Sequence, residues 1–307
     1  MRKHSVVICL FLSLVLLCQG CQTLDTVANV GIDIASSTGS ISSQQAESLK
    51  RGTQAASKAF EEFSPENEYY IGRTITANIL SKYKVYQNKS PYIYINMIGQ
   101  TIAQASDKPE TFNGYHFLIL DTDEINAFAA PGGFILVSRG LIRCCKNEDA
   151  LAAVLAHEIS HVQLGHGMGA IRASRYTSLG QIVGVEVAKN LGREQLAQAA
   201  EVFDGTVGDI MKTLVDNGYQ SSQEYDADKT AVTLLKRVGF NPAALKDMLE
   251  QMDQRLGQNS GGFGRTHPTP RKRLENIESM LNGMSTAKIP SVRTSRFYKS
   301  MVLAIKT

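Results

Sequence analysis

Apolar residues fall at helical spacing through most of this chain and alternate with polar ones in one short central region. Ser64-Pro65-Glu66 combines an N-cap hydroxyl, a proline suited to the first helical position and an acid for the first turn. Tyr69, Tyr70, Ile71, Ile75 and Ile79 then continue at helical spacing to about Tyr83. A second helix is expected over Pro91–Ser106, after the Asn88–Ser90 turn. Tyr115–Asp121 alternates and reads as a strand, with His116 one of its packed residues. Asn126–Ala129 and Phe134–Ser138 are two further short strands joined through Ala130-Pro131-Gly132-Gly133. Pro131 cannot donate a ladder hydrogen bond, so the first of these suits a sheet edge, where it can align an extended peptide by strand addition or simply close a hairpin.

Asn147-Glu148-Asp149 caps the next helix, whose run LAAVLAHEISHVQLG (Leu151–Gly165) is apolar almost throughout. Ile171–Asp216 reads as long helical material, broken near Asn190–Arg193 and Asp204–Gly208, that could form a mobile flap. A further helix opens at Ser221-Ser222-Gln223 and stops at Gly239, and Asn241-Pro242 starts another. Gln258–Gly264 is glycine-rich, His267-Pro268-Thr269-Pro270 leads into a helix over Arg271–Leu281, and the tail beyond Pro290 is a strand candidate. The pattern predicts an α+β protein, mostly helical, with a small mixed sheet.

Composition narrows the class. The chain has 307 residues, 43% hydrophobic and 20% charged, with net charge +3 and no tryptophan, which suits a globular protein with a real core and offers nothing to a nucleic-acid partner. Arg2, Lys3 and His4 precede the apolar run Ser5–Cys18, which is short for a membrane span and reads as a signal peptide over residues 1–21. The small residue before Cys21 resembles the lipobox of bacterial lipoproteins, and Gln22 after it favours the outer membrane. A lipid on Cys21 would then be the only membrane attachment, the alternative being a soluble periplasmic or secreted protein. Residues 22–63, rich in Ser, Ala, Gln and Thr, read as a tether and a loosely packed helix. Cys144 and Cys145 are adjacent, too close for an unstrained disulfide, and are expected to be buried thiols.

The chemistry sits in the apolar helix. His157, Glu158 and His161 form an H-E-x-x-H motif. Residues four apart lie about 40° apart around a helix, so both imidazoles leave one face and can share a metal ion, with Glu158 beside it placed to take a proton from water. His166 would point about 140–180° away in a continuous helix and is read as structural, unless Gly165, Gly167 and Gly169 bend the chain. A tight zinc site needs a third ligand. Glu224 and Asp228 lie four apart on a later helix. Glu224 could complete the set and Asp228 could hydrogen-bond a ligand histidine, but on spacing alone a solvated acidic face fits as well.

The segments NAFAAPGGFILVSRGLI, LAAVLAHEISHVQLGH, EYDADKTAV and RTHPTPRKRL, with YYIGRTITANILSKYKVY before them, resemble in order the gluzincin metallopeptidases of the CAAX prenyl protease and HtpX-like family. The likeness implies a zincin-like metallopeptidase domain over residues 64–285, followed by a tail over 286–307. It implies one Zn2+ held by His157, His161 and Glu224, Glu158 as catalytic acid/base, and Asp228 as the acid four residues after the third ligand. Asn126, Ala127, Phe128 and Ala129 match the family's substrate-binding edge strand beside the metal helix. The chain lacks that family's transmembrane helices and a repeat domain, so it looks most like the compact periplasmic or lipoprotein members related to BepA. That branch implies that His267 can occupy or guard the fourth metal position, or otherwise sit beside Pro268 with no metal contact, and that Arg273 lies near the cleft. The function expected is a zinc endopeptidase acting on misfolded or misassembled envelope polypeptides. The rival expectation is a chaperone-like protein that holds outer-membrane polypeptides on the edge strand.

Overall fold

The structure, a computed structural model, describes residues 21–47, 49–50, 53, 63–173, 218–256, 267–281 and 289–305. They belong to two compact units, residues 1–62 with 172–206 and residues 63–171 with 207–307. The expected signal peptide, the glycine-rich run Gln258–Gly264 and most of Ile171–Asp216 lie outside the described residues. In the first unit, Cys21–Ser37 is a helix (α1), within the stretch read as a tether and a loosely packed helix.

The second unit begins with helices α2 (Pro65–Lys82) and α3 (Lys89–Gln104). Ser64 caps α2 as its sequence predicts, its Oγ accepting from the Asn67 amide, and Asn88 caps α3. Strands β1 (His116–Leu120), β2 (Ala127–Ala130) and β3 (Phe134–Ser138) form a mixed sheet in the order β1-β3-β2, with β1 parallel and β2 antiparallel to β3. The two-residue period sorts their side chains onto two buried faces. Phe117, Ile119, Ala127, Ala129, Ile135 and Val137 join the main core with α3. Leu120, Phe128, Ala130 and Leu136 meet Ile75 and Ile79 of α2. Helix α2 can lie on the β2–β3 turn because Gly72 has no side chain: a Cβ there would stand 1.8 Å from the Pro131 carbonyl oxygen.

After a single turn, α4 (Arg139–Ile142), comes α5 (Glu148–Gln163), capped by Asn147 Oδ1 accepting from the Ala150 amide at 2.8 Å. Every residue from Glu148 to Val162 is buried, so this helix runs through the core and its polar residues cannot rely on water. Helices α6 (Ser221–Val238) and α7 (Ala243–Leu256) pack against it, and α8 (Pro270–Leu281) lies on α6 and α7. Cys144 and Cys145 are buried free thiols, as expected, and burial raises the pKa of both. No helix among the described residues is long and apolar enough to cross a membrane.

The tail corrects the strand expectation. Ser291–Phe297 forms helix α9, continued by a π turn over Tyr298–Val302 and one more turn at Leu303–Ile305. Phe297, Met301 and Ile305 fall four apart and enter the main core, a helical spacing that the short basic run obscures. The same helix anchors the N-terminus of α5. Arg296 pairs with the fully buried Glu148, which also accepts from Tyr94 Oη, and Arg293 pairs with Asp149 at 3.2 Å. Replacing Phe297 with Ala should lower the unfolding free energy by about 3 kcal/mol. Urea denaturation would show this as a lower midpoint at unchanged slope, and a variant as stable as the parent would show that α9 is not docked.

Candidate metal centre

The H-E-x-x-H geometry follows from α5 itself. His157 and His161, one turn apart, bring their Nε2 atoms to 3.1 Å, with the rings nearly perpendicular at 84°. Helix α6 packs along α5 and delivers Glu224 from its first turn, its Oε2 3.4 Å from His157 Nε2 and its Oε1 3.4 Å from His161 Nε2. The residues leading into α8 add His267, whose Nδ1 lies 2.9 Å from both Glu224 oxygens. Donor atoms of the four residues all lie within 4.8 Å of one another, and all four residues are buried. Tetrahedral ligands at about 2.0–2.1 Å from zinc stand about 3.3 Å apart, so the spacings among His157, His161 and Glu224 suit one such ion.

Charge makes the same point. Glu158, Glu224 and Asp228 are buried here against one buried guanidinium, that of Arg273. With the acids counted as ionised and the imidazoles as neutral ligands, the described residues here leave an excess of two negative charges, which a divalent cation offsets. Burial opposes ionisation of Glu224, yet the facing His267 and His161 outweigh it and hold the carboxyl well below its ordinary value. Burial and Arg273 push His157 down, but Asp228 and Glu224 carry it up to about 9.

A further layer orients the rings. Asp228 Oδ1 lies 2.9 Å from His157 Nδ1 and 2.6 Å from Arg273 Nη2, while Oδ2 accepts from Arg273 Nε at 2.9 Å. When His157 Nε2 offers its lone pair to a metal, Nδ1 carries the proton and donates it to Asp228. The 3.1 Å approach of Arg273 Nη2 to His157 Nδ1 is then two donors converging on one oxygen. Arg273 is 1% exposed and stands behind the donors with Asp228, close to the site but not among the residues that line the cleft. His166 stays outside the four-donor set, but it is not turned away as a continuous helix would require. The backbone reverses at Gly165 (φ 66°), and His166 Nδ1 returns to 2.8 Å from His161 Nδ1. Burial and the neighbouring His161 lower its pKa to about 4, so it is neutral and free to accept.

A narrow cleft opens beside these groups, lined by Ala127–Ala130, Ile75, Ile79, Glu158, Tyr219 and His267. Glu158 Oε2 is buried there with no hydrogen-bond partner among the described residues. Asn126 precedes the strand, and its Oδ1 accepts from the Ala127 amide at 2.9 Å. Tyr219 is the residue that sequence reasoning missed. Its ring stacks on His161 at 4.2 Å, and its hydroxyl donates to the Ala129 carbonyl at 3.0 Å. The only local signal was an aromatic residue after Gly218, just before the α6 cap.

Asp228→Ala should weaken zinc binding by about 10- to 100-fold, because His157 loses the acceptor that fixes its tautomer. Competition with a zinc chelator would measure this, and an unchanged affinity would remove Asp228 from the metal centre.

Comparison with known proteins places this geometry. The chain is 31% identical over 218 residues to the Beta-barrel assembly-enhancing protease of Escherichia coli (strain K12), covering 69% of this chain and 43% of that one. It is 34% identical over 162 residues to the Mitochondrial metalloendopeptidase OMA1 of Schizosaccharomyces pombe, covering 51% of this chain and 43% of that one. It is 28% identical over 192 residues to Metalloprotease LoiP of Escherichia coli (strain K12), covering 59% and 69% respectively. The chain thus spans less than half the length of the first two relatives. The model of Peptidase family M48, a family of zinc metallopeptidases, matches residues 90–281, a stretch that runs from α3 to the end of α8 and contains all four donors. On that match, with the buried donor cluster inside it, the chain belongs to Peptidase family M48.

Proposed function

We propose that this chain is a zinc-dependent endopeptidase of the bacterial cell envelope that cleaves misfolded or misassembled envelope polypeptides, and that His267 restrains it at rest. The observation that carries the reading is the unpartnered Glu158 Oε2, buried beside the donor cluster and facing the cleft that β2 borders. His157, His161 and Glu224 would hold the zinc, and His267, whose donor atom lies within reach of the same ion, would compete with substrate for it at rest. Zinc there supplies a Lewis acid for the scissile carbonyl and lowers the pKa of water to about 7. Glu158 takes the proton of the attacking water and returns it to the departing amine nitrogen. Asp228, neutralised by Arg273, keeps the His157 proton on Nδ1. Strand β2 aligns an extended peptide through the backbone groups of Ala127 and Ala129.

The envelope assignment draws on the relatives' names, which include a Beta-barrel assembly-enhancing protease, and on the signal-peptide character of residues 1–21. It places the mature chain in the periplasm, anchored to the outer membrane through a lipid on Cys21, with polypeptides and not nucleic acid as partners.

Two variants test the catalytic reading. Glu158→Gln should lower kcat on an unfolded polypeptide by at least about 100-fold while zinc content stays at one per chain. If that variant still clears the envelope proteins that the parent clears, binding and not cleavage is the cellular task. His267→Ala tests the latch. A site closed nine-tenths of the time would gain about tenfold in activity on release, whereas unchanged or lower activity would show that His267 is not a latch.

A further inference from the structure

The antiparallel register fixes which backbone groups of β2 face away from β3. The Ser138 amide donates to the Asn126 carbonyl at 3.0 Å, so the pairs 128/136 and 130/134 point their hydrogen bonds into the sheet. The amides and carbonyls of Ala127 and Ala129 therefore face the edge away from β3, which no described strand covers. Two of these four groups already have side-chain partners: the Ala127 amide donates to Asn126 Oδ1, and the Ala129 carbonyl accepts from Tyr219 Oη at 3.0 Å. That hydroxyl stands at the distance of an incoming peptide amide nitrogen. Its ring cannot move without leaving His161, on which it stacks with 14° between the planes.

We infer that Tyr219 is the gate of the substrate edge: its hydroxyl occupies the Ala129 carbonyl as a stand-in for the substrate backbone, and an extended polypeptide must displace it to add to β2. This rests on the peptidase reading for its substrate class, extended polypeptide backbone, but the gate itself is a binding property. Tyr219 acts as a positioning residue that links strand occupancy to the face of a zinc-holding histidine.

Tyr219→Phe keeps the ring and removes the competing hydroxyl. Steady-state cleavage of β-casein, an unstructured polypeptide, should show KM lowered about three- to tenfold with kcat changed less than about twofold and zinc content unchanged. Binding provides the second readout: fluorescein-labelled β-casein should bind Glu158→Gln/Tyr219→Phe tighter than Glu158→Gln by the same factor. Both comparisons are repeated with His267→Ala added, so that a closed latch cannot mask the effect. Unchanged or higher KM and Kd in that background overturn the gate, including the case in which Tyr219→Phe merely lowers stability. Tighter binding by a protein that cleaves nothing, even with His267 removed, would sink the peptidase reading and leave the gate standing.

Discussion

Among the described residues at the donor cluster, three buried carboxylates share one buried guanidinium, and that is the constraint on which this structure turns. A buried carboxylate must meet positive charge or lose its own. Asp228 meets Arg273 in a two-point contact, which leaves Glu224 and Glu158 to be balanced from elsewhere. Glu224 is surrounded by three imidazoles at 2.9–3.4 Å and is held ionised. Imidazoles can meet that demand only by carrying protons or by sharing a cation, and a divalent ion satisfies the carboxylates and the three rings at once.

The fold is arranged to make that demand unavoidable. Helix α5 is buried along its length, and its N-terminal acids are held by Arg293 and Arg296 of the tail, so the helix cannot slide to bring His157 and His161 toward solvent. Helix α6 brings two acids a single turn apart, one toward the histidine Nε2 atoms and one toward the far side of His157. The segment around α8 then contributes twice, with His267 in front of the donors and Arg273 behind them. Helix α6 and the α8 segment each supply one group in front and one behind, while α5 supplies both histidines in front, so separate stretches of chain converge on a volume only a few ångströms across.

What the sequence could reveal depended on how local each feature is. The cap at Ser64, the cap at Asn147, the strand Phe134–Ser138 and the face shared by His157 and His161 involve residues within a few positions of one another, and all appear in the structure where periodicity put them. Glu224 was distinguishable from other acids only by family likeness, because its partner lies 67 positions earlier at His157 and spacing carries no information over that distance. His166 stays outside the donor set as read, but by way of the bend that the glycines left open: Gly165 turns the backbone and folds the ring back onto His161. The tail was misread because its three core residues are spread through a basic run, and their common face shows only once the helix is drawn. Tyr219 carried no motif at all; its role is set by the Ala129 carbonyl and the His161 ring, neither near it in sequence.

If His267 is the proposed latch and Tyr219 the proposed gate, the cleft has two closures, and they would select for different properties of a substrate. In that reading His267, with Nδ1 2.9 Å from both Glu224 oxygens, would yield to any group that competes for its place among the donors. Tyr219 faces the strand side and yields only to a backbone able to bond to the Ala129 carbonyl, which means a segment with its own amides unpaired. A folded protein keeps those amides in its own helices and sheets, so it can challenge neither closure without first unfolding locally. Under the proposed function, unfolded or stalled polypeptides would offer both a carbonyl for the metal and a free strand for β2 on one chain, and binding at the strand would raise the effective concentration of the scissile carbonyl at the metal. Discrimination by folding state therefore needs no sequence-specific pocket. Ala127 and Ala129, which present backbone and almost no side chain along the edge, are consistent with a site that reads extension and not sequence.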